Sequence, residues 1–152
     1  MNPKAAEHYL RTKVLTATAE QLQLLLFDGG IRFGEQARVA LEQKNYEQSY
    51  QLLTRMLKIV NQLRCALNPD VSPDLCSKLA GIYTYAYRKI VDANFHHRIE
   101  SLDEALNLLK YQRETWVMLL EKLARQKAGL AARQIDVPAP DAKMEASISM
   151  QG

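Results

Sequence analysis

The side chains best equipped for nucleophilic, acid–base or metal chemistry are few: His8, His96 and His97, with Cys65 and Cys76. Their spacing builds no known centre. There is no His-Glu-x-x-His pair on one helical face, and no pair of Glu-x-x-His motifs of the kind that holds two metals inside a helical bundle. Adjacent histidines at a helix end project in different directions, so His96 and His97 read as loop polarity. Cys65 and Cys76 flank a proline-containing loop and, in a reducing compartment, read as free, mostly buried thiols. Phosphate-cradling glycine loops and the Gly-x-Ser-x-Gly elbow are also missing. The reading is therefore no enzyme, no cofactor and no metal. Function has to rest on surfaces.

The elements that would carry such surfaces are helices. Prolines stand only at 3, 69, 73, 138 and 140, so two long stretches, 4–68 and 74–137, contain none. No period-2 alternation or hairpin turn signals a strand. Capping chemistry places four helix starts. Thr18 and Gln21 fit a capping box, Asn45 and Gln48 offer the same arrangement, Ser72-Pro73-Asp74 is a proline-led start, and Ser101 with Glu104 is another box. The predicted helices span 19–42, 46–67, 73–97 and 102–130. Short links between long helices enforce antiparallel neighbours, giving an all-α, up-down-up-down four-helix bundle. Residues 1–17 form an N-terminal cap segment, 18–130 the bundle, and 131–152, where the apolar period fades, a disordered tail.

The first bundle helix carries the most informative pattern. Its stretch Leu24-Leu25-Leu26-Phe27-Asp28-Gly29-Gly30-Ile31-Arg32-Phe33 places two glycines inside an apolar run, each costing about 0.5–1 kcal/mol relative to alanine. At about 100° per residue, Leu22, Leu25, Leu26, Gly29, Phe33, Ala37 and Ala40 form one stripe. The stripe stays in phase through Gly29, so the helix is continuous, and this stripe is assigned to the core. Leu24, Phe27 and Ile31 form a second stripe nearly opposite, with Gly34 at its edge. Two readings follow: a central helix buried on both sides, or a docking surface for another chain or for the N-terminal segment. In the third helix, Tyr83, Tyr85 and Tyr87 suit half-buried positions with one wet end. The segment Tyr9–Thr16 carries Tyr9, Leu10, Val14 and Leu15, too apolar for an idle tail, and should pack on the bundle.

The formal charge is +3, from 20 basic and 17 acidic residues with interspersed signs, which argues against nucleic acid as partner. No apolar run approaches the ~18 residues of a membrane span, so membrane insertion is not expected. No secretory leader pattern opens the chain, and the expected compartment is the cytoplasm.

Three motifs in register resemble the flagellar secretion chaperone FliS family. They are Tyr9, Val14, Thr16-Ala17, Leu22 and the run Leu24–Phe33 with Ala37; then Tyr87-Arg88-Lys89-Ile90-Val91-Asp92-Ala93-Asn94; then Thr115-Trp116. The likeness covers about residues 7–123. It departs at Phe27, where the family usually has tyrosine, at Gly30, where alanine is usual, and at Gly34, where a large apolar residue is common. The resemblance implies an antiparallel bundle without cofactor that binds the disordered C-terminal segment of flagellin, prevents premature polymerisation and delivers it to the flagellar export apparatus. In that reading Tyr9 and Val14 shield a groove in the free protein, and Leu24, Phe27 and Ile31 contact the client. Gly34 leaves room beside them, and Tyr83 and Tyr87 add to the surface. A homodimer when client-free is a further expected partner; the alternative is a structural bundle without an export role that self-associates through the same stripe.

Overall fold

Helix starts follow the side chains that satisfy their free N–H groups. The computed structural model describes residues 2–70 and 72–136. Among them are five helices and no strand: α1 Pro3–Thr16, α2 Ala19–Glu42, α3 Tyr46–Cys65, α4 Pro73–His96 and α5 Ile99–Asp136. Asn2 caps α1 by accepting from the Lys4 amide at 3.1 Å. The Thr18 capping box forms in full: the Thr18 hydroxyl accepts from the Gln21 amide, and the Gln21 side chain accepts from the Thr18 amide, both at 3.1 Å. Asn45 caps α3 through the Gln48 amide at 3.3 Å.

Two expected starts are corrected. Ser72 makes no side-chain capping bond, and α4 relies on Pro73 at its first position. Ser101 lies inside α5, which begins at Ile99; its buried hydroxyl donates to Asp92 of α4 at 2.5 Å instead of capping its own helix. The boundary placed at 130 is also early, because α5 continues to Asp136. The rest of the expected tail, 137–152, lies outside the described residues. The cysteines are free, as expected, but Cys65 is exposed and Cys76 half-buried.

Two compact units divide the chain, Met1–Val117 and Met118–Gly152. In the first, α2, α3, α4 and the part of α5 up to Val117 form the antiparallel four-helix bundle. Contacts across it run in opposite chain directions: Gly30 meets Ile59 and Gly34 meets Met56 between α2 and α3. Arg38–Asp103 at 2.7 Å, Glu35–Lys110 at 2.5 Å and Asp28–Arg113 at 2.5 Å tie α2 to α5. Lys89–Glu104 at 3.1 Å and the Tyr85 hydroxyl donating to Glu104 at 2.9 Å tie α4 to α5. These pairs are partly solvent-exposed and set register more than stability. Stability comes from the sealed side chains between the helices, among them Leu53, Met56, Leu63, Ile90, Leu102 and Leu109.

The face that α2 turns inward is not the one its leucines suggest. Its buried residues include Phe27, Gly30, Gly34, Ala37 and Leu41, spaced alternately by three and four. That is a continuous seam. A Cβ added at Gly34 would lie 2.5 Å from Leu106 Cδ2 and 2.9 Å from Met56 Cε, and at Gly30 3.2 Å from Ile59 Cγ2. The glycines thus let α3 and α5 close on α2. The expected assignment of faces is corrected in part: Gly29, Ala37 and Ala40 of the expected core stripe are buried, but Phe27 and Gly34 belong to the core as well, while Leu22 is exposed and Leu25, Leu26 and Phe33 are only half-buried. The physical reason is side-chain volume. Tight helix packing selects the stripe with the smallest residues, whereas hydrophobicity alone favours the leucines.

Candidate functional site

Leu10 and Val14, one helical turn apart on α1, face the leucine side of α2. With Leu22, Leu25, Leu26, Gly29 and Phe33 of α2 and Ile59 of α3 they enclose a cavity of about 580 Å³. Asp28, Arg32 and Gln62 supply its polar atoms. A smaller cavity of about 380 Å³ includes Lys13, Thr16 and Ala17 with Leu24, Leu25 and Asp28. A third, about 340 Å³, runs from Leu22 and Leu26 to Ala66 and Trp116. Leu25 and Asp28 are common to the first two, and Leu22 and Leu26 to the first and third. The result is an apolar strip along α2.

The cover of this strip is lightly attached. No residue of α1 is buried. Its side-chain hydrogen bonds stay local: Asn2 to the Lys4 amide, Thr12 to the His8 carbonyl, Thr16 to the Thr12 carbonyl. Among the described residues no ion pair joins α1 to the bundle. Ala17 and Thr18, both extended, separate α1 from α2. Leu10 and Val14 are the apolar side chains that α1 brings to the large cavity, and both stay about two-fifths exposed, 41% and 42%.

Charges frame the strip. Asp28 is neutralised by Arg113 at 2.5 Å. The guanidinium groups of Arg32 and Arg55 lie 5.4 and 5.8 Å from the Phe33 ring centre, cation–π geometry that leaves both cations without a carboxylate partner among the described residues. The Trp116 indole N–H donates to the Glu20 carbonyl at 3.0 Å, pinning α5 to the start of α2 at one end of the strip.

The expected site residues divide. Val14 lines the large cavity and Leu24 the smaller one beside α1. Tyr9 points into solvent, 66% exposed, with Lys13 5.9 Å from its ring centre. Ile31 is half-buried against the core. Phe27, 1% exposed, packs against Tyr83 with ring centres 6.5 Å apart. Tyr83 is equally sealed, and burial pushes its hydroxyl up to about 12. Gly34 is buried between Met56 and Leu106. Tyr87 is half-buried, with the Arg64 guanidinium 5.7 Å from its ring centre. Leu10 belongs to the segment expected to pack on the bundle; residues that the sequence did not mark for this surface are Leu22, Leu25, Leu26, Phe33 and Ile59. The in-phase leucines of α2 were the signal, assigned to the other face. Ile59 stands beside the α3 core stripe and could have been found as its flank.

The remaining titratable groups fasten helices away from the strip. The hydrogen bond from Ser101, reinforced by Arg98, His96 and Lys89, holds the Asp92 carboxyl below the usual range. Hydrogen bonds from Lys89 and Tyr85 do the same for Glu104. Arg38, beside Asp103, and Lys89, beside Glu104, are raised in turn. His97 has a left-handed backbone, φ 54°, at the end of α4 and stacks on Tyr46 at 3.8 Å between ring centres. No group of histidine, cysteine and carboxylate side chains able to hold a metal occurs among the described residues. No helix among them is long and apolar enough to cross a membrane.

Comparison with known proteins points one way. A family described as "Flagellar protein FliS" matches residues 1–123. The chain is 27% identical over 128 residues to the flagellar secretion chaperone FliS of Bacillus subtilis (strain 168), covering 84% of this chain and 93% of that protein. It is 26% identical over 124 residues to the protein of the same name from Salmonella typhimurium, covering 81% and 92%. It is 29% identical over 117 residues to FliSB of Pseudomonas aeruginosa, covering 74% and 93%. A solved structure titled "Crystal structure of flagellar chaperone from bacteria" superposes with a TM-score of 0.65 at 19% identity, covering 80% of this chain and 99% of that one; it supports the fold.

Proposed function

The chain belongs to the FliS family of flagellar proteins, and from that premise we propose that it is a cytoplasmic chaperone of flagellar export that holds the C-terminal segment of flagellin on the α1-covered strip of α2 and α3. The observation that carries this is the cavity of about 580 Å³ that Leu10 and Val14 of α1 line together with α2 and α3, on a helix with no buried residue. A disordered client pays ordering entropy of roughly 2–5 kcal/mol on binding, which a long apolar strip on a rigid bundle offsets by burial. An amphipathic helix suits the strip, with apolar anchors at i, i+3, i+4 and i+7 over Leu22, Leu25, Leu26 and Ile59. The unpaired Arg32 and Arg55 favour an acidic residue where the client passes Phe33. Holding the segment in this way blocks polymerisation before delivery to the export apparatus.

Titration calorimetry with a flagellin C-terminal peptide tests the assignment. Leu22→Asp should weaken binding at least about tenfold while far-UV circular dichroism remains helical, because Leu22 is exposed in the free protein. Full affinity in both Leu22→Asp and Phe33→Ser removes the strip as the client site. Sedimentation at micromolar concentration reads the competing outcome, a tight dimer indifferent to the peptide.

A further inference from the structure

The second unit carries a surface that the client strip does not use. From Glu121 to Ile135 every residue of α5 is exposed. Within this unit Leu123 and Leu130 stand seven residues apart, with Leu119 four before Leu123. That spacing sets the three leucines on one narrow stripe, the a and d positions of a short heptad run that a partner helix could extend. Leu119, Leu123 and Leu130 are 42%, 37% and 58% exposed. The family match ends at residue 123, so most of this helix lies beyond it.

We propose that residues 118–135 are a docking helix for an acidic amphipathic helix of another protein. The flanks of the seam decide the occupant. With Leu123 and Leu130 at a, Lys122 falls at g, Lys127 at e, and Arg133 at d, one interval after Gln126. Arg125 lies 3.9 Å from Glu121, whereas Lys122, Lys127 and Arg133 have no carboxylate partner among the described residues. In a parallel pair of identical helices, g of one chain meets e of the next heptad in the other, which sets Lys122 against Lys127 on both sides. An antiparallel pair sets e against e and g against g, and the registers that face Lys122 or Lys127 with its own copy bring like charges together again. A second copy is disfavoured in each of these registers, and glutamate or aspartate at the partner's e and g positions is what the flanks match. A lipid surface is a poorer fit, since Gln126 and Arg133 interrupt a stripe one residue wide where an interfacial helix needs a broad apolar face.

The full-length chain is titrated with a labelled three-heptad peptide carrying leucine at a and d and glutamate at e and g, and with its counterpart carrying lysine at e and g. The glutamate peptide should bind and the lysine peptide should not. Leu123→Gln with Leu130→Gln should weaken binding about tenfold or more. Lys122→Glu with Lys127→Glu should reverse the preference. Binding of the flagellin peptide should be unchanged in both variants, which separates this surface from the client strip. All four side chains are exposed, so the thermal midpoint should hold. Equal binding of the two peptides, or of neither, overturns the proposal. So does a dimer in sedimentation that Leu123→Gln with Leu130→Gln abolishes, or binding to phosphatidylglycerol vesicles in place of the peptide.

Discussion

Gly34 and Gly81 both sit inside long helices, yet a methyl group would meet opposite surroundings at the two sites. At Gly81 nothing lies within 4 Å, so Gly81→Ala should raise stability by about 0.5–1 kcal/mol through helix propensity. At Gly34 the methyl would press on Leu106 and Met56, both sealed in the core, and overpacking of about 1–3 kcal/mol should outweigh the same gain. Urea unfolding should therefore move the two midpoints in opposite directions. Phe27→Ala opens the centre of the bundle and should cost about 3–5 kcal/mol in the same assay. A pH series isolates Asp92. Its folded pKa is depressed, chiefly by the Ser101 hydroxyl, so its contribution is present above the ordinary carboxylate range and is lost as pH falls through the lower folded value. Ser101→Ala should be less stable than the parent at about pH 6, and the gap in urea midpoint should narrow towards about pH 3. A gap that is constant with pH would assign the loss to packing alone.

Among the elements, α1 is the one whose removal should strengthen an activity. Leu10→Ser with Val14→Ser takes away the contacts that seat it but touches no buried residue. The expected result is several-fold tighter flagellin-peptide binding in calorimetry with an unchanged thermal midpoint. Most of this architecture was legible beforehand. Proline placement gave the helical stretches, and Thr18 and Asn45 gave two starts within a residue, because capping is local chemistry. Ser101 misled because its hydroxyl had a long-range alternative in Asp92, which no neighbouring residue announces. The presence of two apolar faces on α2 was also legible, but their assignment was not. Leu22, Leu25, Leu26 and Phe33 outweigh Phe27, Gly30 and Gly34 in hydrophobicity, and only the close approach of Ile59, Met56 and Leu106 shows why the lighter face wins.

At the scale of the molecule, the proposed function has client capture exchange one apolar cover for a larger one. Binding enthalpies measured over a range of temperatures should give a negative heat-capacity change, and helicity should increase as the client orders. The extended pair Ala17–Thr18 adds a constraint of its own. A competitor tethered by so short a link is present at an effective concentration on the order of millimolar however dilute the protein becomes. Under the proposed function every incoming segment has to displace that standing occupant, so weak apolar peptides should be turned away at any protein concentration, and the strength with which Leu10 and Val14 seat α1 would set the threshold separating clients from bystanders.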